Sequence, residues 1–270
     1  MIRITTLEDR FAVGIWLLVA LSGIAANGAA IIALIRSKKR TVGDTLVLHL
    51  CILGVLGVTF NVILRPLIWF TDFPHVFVVR IIGSQFFSSI FYQSIICISF
   101  DCLLAVRLNL TYKAIVTKSR LHKLITMIWV ISTICAVISG IYSYTNTIIW
   151  IFWSTVTIIS IIASYFYIIR VFYRQRAKFR KHKSCKYVRQ FKYEVPFCIT
   201  LSYILTMFIP DIVVVVDERL FTVWTLVIWY TYFLIYPLVY VFFKAYGKER
   251  KKSTTDILLQ NLQNQTKVPK

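Results

Sequence analysis

Between Ser84 and Tyr112 the chain runs S-Q-F-F-S-S-I-F-Y-Q-S-I-I-C-I-S-F-D-C-L-L-A-V-R-L-N-L-T-Y, apolar and long enough to cross a bilayer. It is marked by polar side chains at helical spacing. Ser84, Ser88 and Tyr92 form one i, i+4 row, and Gln85, Ser89 and Gln93 form the row beside it. A polar group left unpartnered in hydrocarbon is costly, so this stripe must face protein or a water-filled cavity. Two readings stand side by side: a ligand-binding wall, or hydroxyl-mediated contact between helices. Past the stripe stands Asp101, and an ionisable residue in or at the edge of an apolar span is a functional candidate by default. Asp211 is another. It is too short to snorkel to the interface as Arg65 and Arg80 can, so it either lines a pocket or pairs with one of those arginines. No His-x-x-His, paired carboxylate or Cys-x-x-Cys occurs, so metal and hydrolytic chemistry have no residues to stand on. The expectation is a protein that binds rather than an enzyme, without a cofactor.

The elements that position these residues follow from composition. Of 270 residues, 58% are hydrophobic and 16% charged, against about a quarter charged in a soluble domain. Hydropathy predicts seven spans, near 11–35, 45–70, 77–106, 124–142, 148–172, 194–216 and 221–245. The net charge of +20 comes from short clusters between the spans, which argues against nucleic acid as a partner. Arg36 to Arg40, Arg107 to Lys123, the ten cations of 170–192 and Lys244 to Lys252 all follow odd-numbered spans. The other gaps hold one basic residue, Arg219. By the positive-inside rule the N-terminus lies outside and the basic face is cytosolic, where it meets anionic lipid. The sequons at Asn109 and Asn264 fall on that face and are not expected to be glycosylated. All cysteines except Cys185 lie within spans and none lies in an outer loop, so no structural disulfide is expected. The first apolar run is long and continues into a basic loop, unlike a cleaved signal peptide.

Several landmarks give the chain a resemblance to the rhodopsin-like (class A) G-protein-coupled receptors. A-N-G at Ala26 to Gly28 is similar to the family's G-N. S-F-D-C-L-L-A-V resembles S-x-D-R-Y-L-A-I, with Asp101 on its acid, and Trp129 matches the lone tryptophan of the fourth span. F-I-P at Phe208 to Pro210 resembles W-x-P, and Y-P-L-V-Y at Tyr236 to Tyr240 resembles N-P-x-x-Y. The basic run from Phe243 to Lys252 resembles the short amphipathic helix that follows. The resemblance covers nearly the whole chain, with specificity in the order and spacing of the motifs.

It implies an all-α, seven-helix receptor domain over 1–252 and a flexible cytosolic tail over 253–270, in the plasma membrane. Its function would be to sense an extracellular ligand and signal by helix movement. The cavity would be lined by Ser84, Gln85, Ser88, Ser89 and Tyr92, with Phe208, Asp211 and Tyr232 opposite. The signalling switch would comprise Asn27, Asp101, Cys102, Arg107, Pro210, Tyr236, Pro237 and Tyr240, and the partner a heterotrimeric G protein. There are departures. Cys102 stands where the family has its arginine, Gly54 stands near the place of the second-span aspartate, and Tyr236 replaces an asparagine, so the family's sodium pocket should be absent. Without the arginine, Asp101 should be solvated or bonded to Tyr112 or a neighbouring helix. A receptor-shaped protein that does not couple, acting as a scavenger or as a modulator of another receptor, is the alternative. A transporter would want midplane charge and repeat symmetry, neither of which stands out.

Overall fold

The computed structural model describes residues 7–37, 40–70, 74–108, 111–142, 145–179, 198–216 and 223–243. The basic segment 180–192 with Cys185, the amphipathic run after Phe243, the tail 253–270 and both sequon asparagines lie outside the described residues.

Every described element is helical. α1 is Leu7–Ile35, α2 Val42–Phe70, α3 Pro74–Leu108, α4 the single turn Tyr112–Ile115, α5 Lys118–Ile141 and α6 Thr145–Phe179. α7 covers 198–216 and α8 Val223–Phe243. Six of these, all but α4 and α7, are long and apolar enough to cross a membrane. Where a sixth span is expected, the described residues form a shorter apolar helix, Cys198–Ile212, which is not among the six long enough to cross. This is a multi-pass helical membrane protein by length and composition. In hydrocarbon a chain must satisfy its backbone groups internally, and a helix does so within each span.

Local signals set the ends. Thr41 and Asp44 form a reciprocal cap on α2: Asp44 N–H donates to Thr41 Oγ1 at 3.1 Å and Thr41 N–H to Asp44 Oδ2 at 3.0 Å. Pro74 opens α3, where a missing N–H costs nothing. Thr117 caps α5 by accepting from the Arg120 N–H at 3.4 Å. α6 extends further than its apolar run implied. Its 35 residues span about 52 Å, so Arg170, Arg174, Arg176 and Lys178 belong to a helix that projects past the hydrocarbon, not to a loop.

α3 is the axis of the bundle. It packs against α2, α5 and α6, and its buried share is the largest of the spans. The main core joins Leu46, Leu50, Phe91, Ile95, Tyr203, Tyr232 and Tyr236. A second core sets Trp16 and Ala20 against Val58, Leu226 and Tyr230, with Trp16 and Tyr230 edge to face at 5.6 Å. The outward faces keep large apolar side chains such as Leu18, Ile162 and Phe166 more than half exposed, which suits lipid rather than water.

Candidate functional site

A cavity of about 620 Å³ opens between the C-terminal half of α2, the N-terminal half of α3 and the starts of α6 and α8. That is the end of the bundle away from exposed Arg36, Arg40, Arg107 and Lys118. Its volume lies in the range of small-molecule sites, about 300–1,000 Å³. Ser84, Gln85, Ser88 and Tyr92 line it from α3. The remaining expected residues do not reach it. Ser89 is fully buried and accepts a hydrogen bond from Gln85 Nε2 at 2.9 Å. Gln93 donates to Ser132 Oγ on α5 at 3.0 Å, so this lower part of the stripe joins helices. Tyr232 stands within a core of rings, 5.2 Å from Phe91 and 5.0 Å from Tyr236, and Phe208 packs against the same core.

The arginines change role. Arg65 and Arg80, read above as snorkelling groups or ion-pair partners of Asp211, both line the cavity. Arg65 is only 9% exposed and its Nε has no hydrogen-bond partner among the described residues. The Tyr230 hydroxyl lies against its guanidinium. The signal for Arg80 was in the sequence, because Arg80, Ser84, Ser88 and Tyr92 continue one i, i+4 row. Asn61 and Arg65 share a row of α2 in the same way. Asn146, Trp150, Trp229, Tyr230 and Phe233, on other helices, complete the wall. No periodicity within one span could have brought them there.

Asp211 lies behind the cavity, 4% exposed. It accepts from the Tyr92 hydroxyl at 3.1 Å and, more distantly, from Ser154 at 3.4 Å. Tyr92 thus has one face in the cavity and its hydroxyl on α7. α7 is irregular here: Ile204–Phe208 forms a π-helical turn, with the Ile209 N–H bonded to the Ile204 carbonyl, directly before Pro210. Proline supplies no N–H and its ring crowds the preceding turn, so the widened turn accommodates it. Met207, inside that turn, also lines the cavity.

Below the cavity, polar contacts tie the helices together. Asn27 Nδ2 donates to the carbonyls of Gly23 at 2.8 Å and Phe233 at 2.7 Å, fixing α1 to α8. The Tyr236 hydroxyl bonds to Asn27 Oδ1 and reaches the Leu50 carbonyl at 2.9 Å, so one proton serves α1 and α2. Gly54 makes room for this: a Cβ there would stand 2.5 Å from the Tyr236 hydroxyl and 2.8 Å from Asn27 Oδ1. Tyr240, one turn on and past buried Pro237, bonds to Asp44 at the start of α2. Asp101 takes the Tyr112 hydroxyl, while Arg107 is exposed and Cys102 is 5% exposed.

His49 was not anticipated. Trp129 Nε1–H donates to His49 Nε2 at 2.9 Å, and Ser94 Oγ lies 3.2 Å from Nδ1 while bonding the Ile90 carbonyl at 2.7 Å. A ring accepting at Nε2 carries its proton on Nδ1, so the Trp129 bond assigns the tautomer and ties α2, α3 and α5. Among the described residues, none of the five cysteines is in a disulfide, and no cluster of three His, Cys, Asp or Glu side chains could hold a metal.

Compared with known proteins, the chain matches no family model and no curated relative.

Proposed function

We propose that this chain is a seven-span receptor, N-terminus outside, in the plasma membrane, which senses an extracellular ligand and passes the event to its cytosolic face through α7. The observation that carries this reading is the link between cavity and helix: Tyr92 lines the cavity and donates to Asp211, next to Pro210, while Met207 from the π-helical turn stands in the same wall. A ligand that displaces Tyr92 or Met207 acts on the least regular turn of the bundle. The contacts of Tyr236, Tyr240 and Asp101 at the far end are the elements such a movement would rearrange.

Cys102 favours a second reading at the last step. A buried thiol stands in the D-C-L-L-A-V motif at the place of a cation, so the contact that would meet a G protein is missing. Coupling is therefore weak, and a scavenger or a modulator of another receptor accounts for the same cavity. The test is nucleotide exchange on a panel of G proteins, in membranes carrying the native chain or Cys102→Arg at equal surface expression. Weak native activity that Cys102→Arg raises is expected. Strong native activity that the substitution lowers would show that this position does not limit coupling.

A further inference from the structure

We propose that the cavity between α2, α3, α6 and α8 binds an amphiphilic anion, a carboxylate or phosphate headgroup carrying an apolar chain. Among the described residues two cations, Arg65 and Arg80, line the cavity and no carboxylate does. Asp211 is absent from the wall and is held by the hydroxyls of Tyr92 and Ser154. The two guanidiniums repel one another, and a buried charge without a counter-charge is costly. Arg65 is nine-tenths buried with its Nε unpartnered, so it presents an N–H that water or a ligand must satisfy. An anion between Arg65 and Arg80 offsets the repulsion and accepts from a guanidinium in the paired geometry that carboxylate and phosphate oxygens fit. A cationic ligand would meet two like charges and is disfavoured.

The depth of the residues orients the ligand. Arg65 and Arg80 stand near the helix ends, with the amide of Asn61 and the hydroxyl of Ser84 beside them in sequence by one turn. Leu53, Phe91 and Met207 lie further into the bundle and offer only apolar surface. A headgroup held at the arginines therefore sends its chain inward, toward Met207 and the irregular turn of α7. This names the ligand class for the receptor reading, yet it concerns binding alone and is tested without a signalling partner.

Purified full-length protein in non-ionic detergent is assayed for equilibrium binding of radiolabelled oleate, oleyl alcohol and inorganic phosphate. The acid and the alcohol share a chain and differ in the headgroup. Oleate is expected to bind about tenfold tighter than the alcohol or better, since the difference is one or more charge-assisted hydrogen bonds. Arg65→Gln and Arg80→Gln should each narrow that ratio by weakening oleate more than the alcohol, and phosphate alone should compete poorly. Arg80 is partly exposed, so Arg80→Gln carries the test if Arg65→Gln fails to run as a monodisperse species. Equal binding of acid and alcohol, or a ratio that survives both substitutions, would overturn the anion. Phosphate competing as well as oleate would overturn the amphiphile. Failure in either form leaves the exchange assay on G proteins free to decide the receptor reading.

Discussion

A single hydroxyl joins three helices at Tyr236. It serves Asn27 of α1 and the Leu50 carbonyl of α2, and it occupies the space that a side chain at Gly54 would need. Tyr236→Phe keeps the ring and removes the hydroxyl, leaving two buried acceptors short of a donor. The expected cost is about 1–3 kcal/mol, read as a lower melting temperature in detergent. Gly54→Ala should also destabilise, because its Cβ would press on the Tyr236 hydroxyl and on Asn27. The two should not add. With the hydroxyl gone the nearest atom facing the new methyl is gone too, so the double variant should lose less than the sum of the singles. Strict additivity would mean that Gly54 and Tyr236 are not in contact.

At the scale of elements, α7 differs from its neighbours. Its described apolar run, Cys198–Ile212, is shorter than the six long helices, and it is interrupted by a π-helical turn just before Pro210. Hydrogen bonds from Thr206 Oγ1 to the Ser202 carbonyl at 2.7 Å and from Ser202 Oγ to the Cys198 carbonyl at 2.8 Å brace the turn before it. Pro210→Ala restores an N–H and removes the ring from the preceding turn. The expected result is slower amide exchange across 204–208 and a higher melting temperature, since the widened turn can close to regular α-helix. Faster exchange or a lower melting temperature would show that the π turn is held by tertiary contacts rather than by proline. Pro66, within α2, has no comparable π-helical turn among the described residues, so a proline in a span does not by itself produce one.

Taken whole, the bundle has two unlike ends. One holds the cavity with its two arginines; the other holds exposed cations and the tyrosine–aspartate pairs Tyr112–Asp101 and Tyr240–Asp44. In the proposed receptor reading, the charge asymmetry of the loops would orient the cavity outward. An epitope tag inserted at Lys183 should accordingly bind antibody only after cells are permeabilised. Labelling of intact cells at that site would turn the cavity toward the cytosol, and the reading as a receptor for an extracellular ligand would go with it.

Six long helices were legible in the sequence because hydrocarbon acts on each span separately. Apolar length and internal backbone hydrogen bonding decide a span without reference to its neighbours. The polar stripe of α3 was legible for the same reason, as an i, i+4 row is a property of one helix. What the stripe touches was not. Only the tertiary structure separated Ser84, Ser88 and Tyr92, which face a cavity, from Ser89 and Gln93, which bond within and between helices. It also moved Arg65 and Arg80 from the lipid interface to the cavity wall, and set Asp211 against Tyr92 rather than against an arginine. Such choices depend on which faces of α2, α3, α6, α7 and α8 meet. Partners such as Tyr92 and Asp211, 119 residues apart, leave no trace in any local pattern.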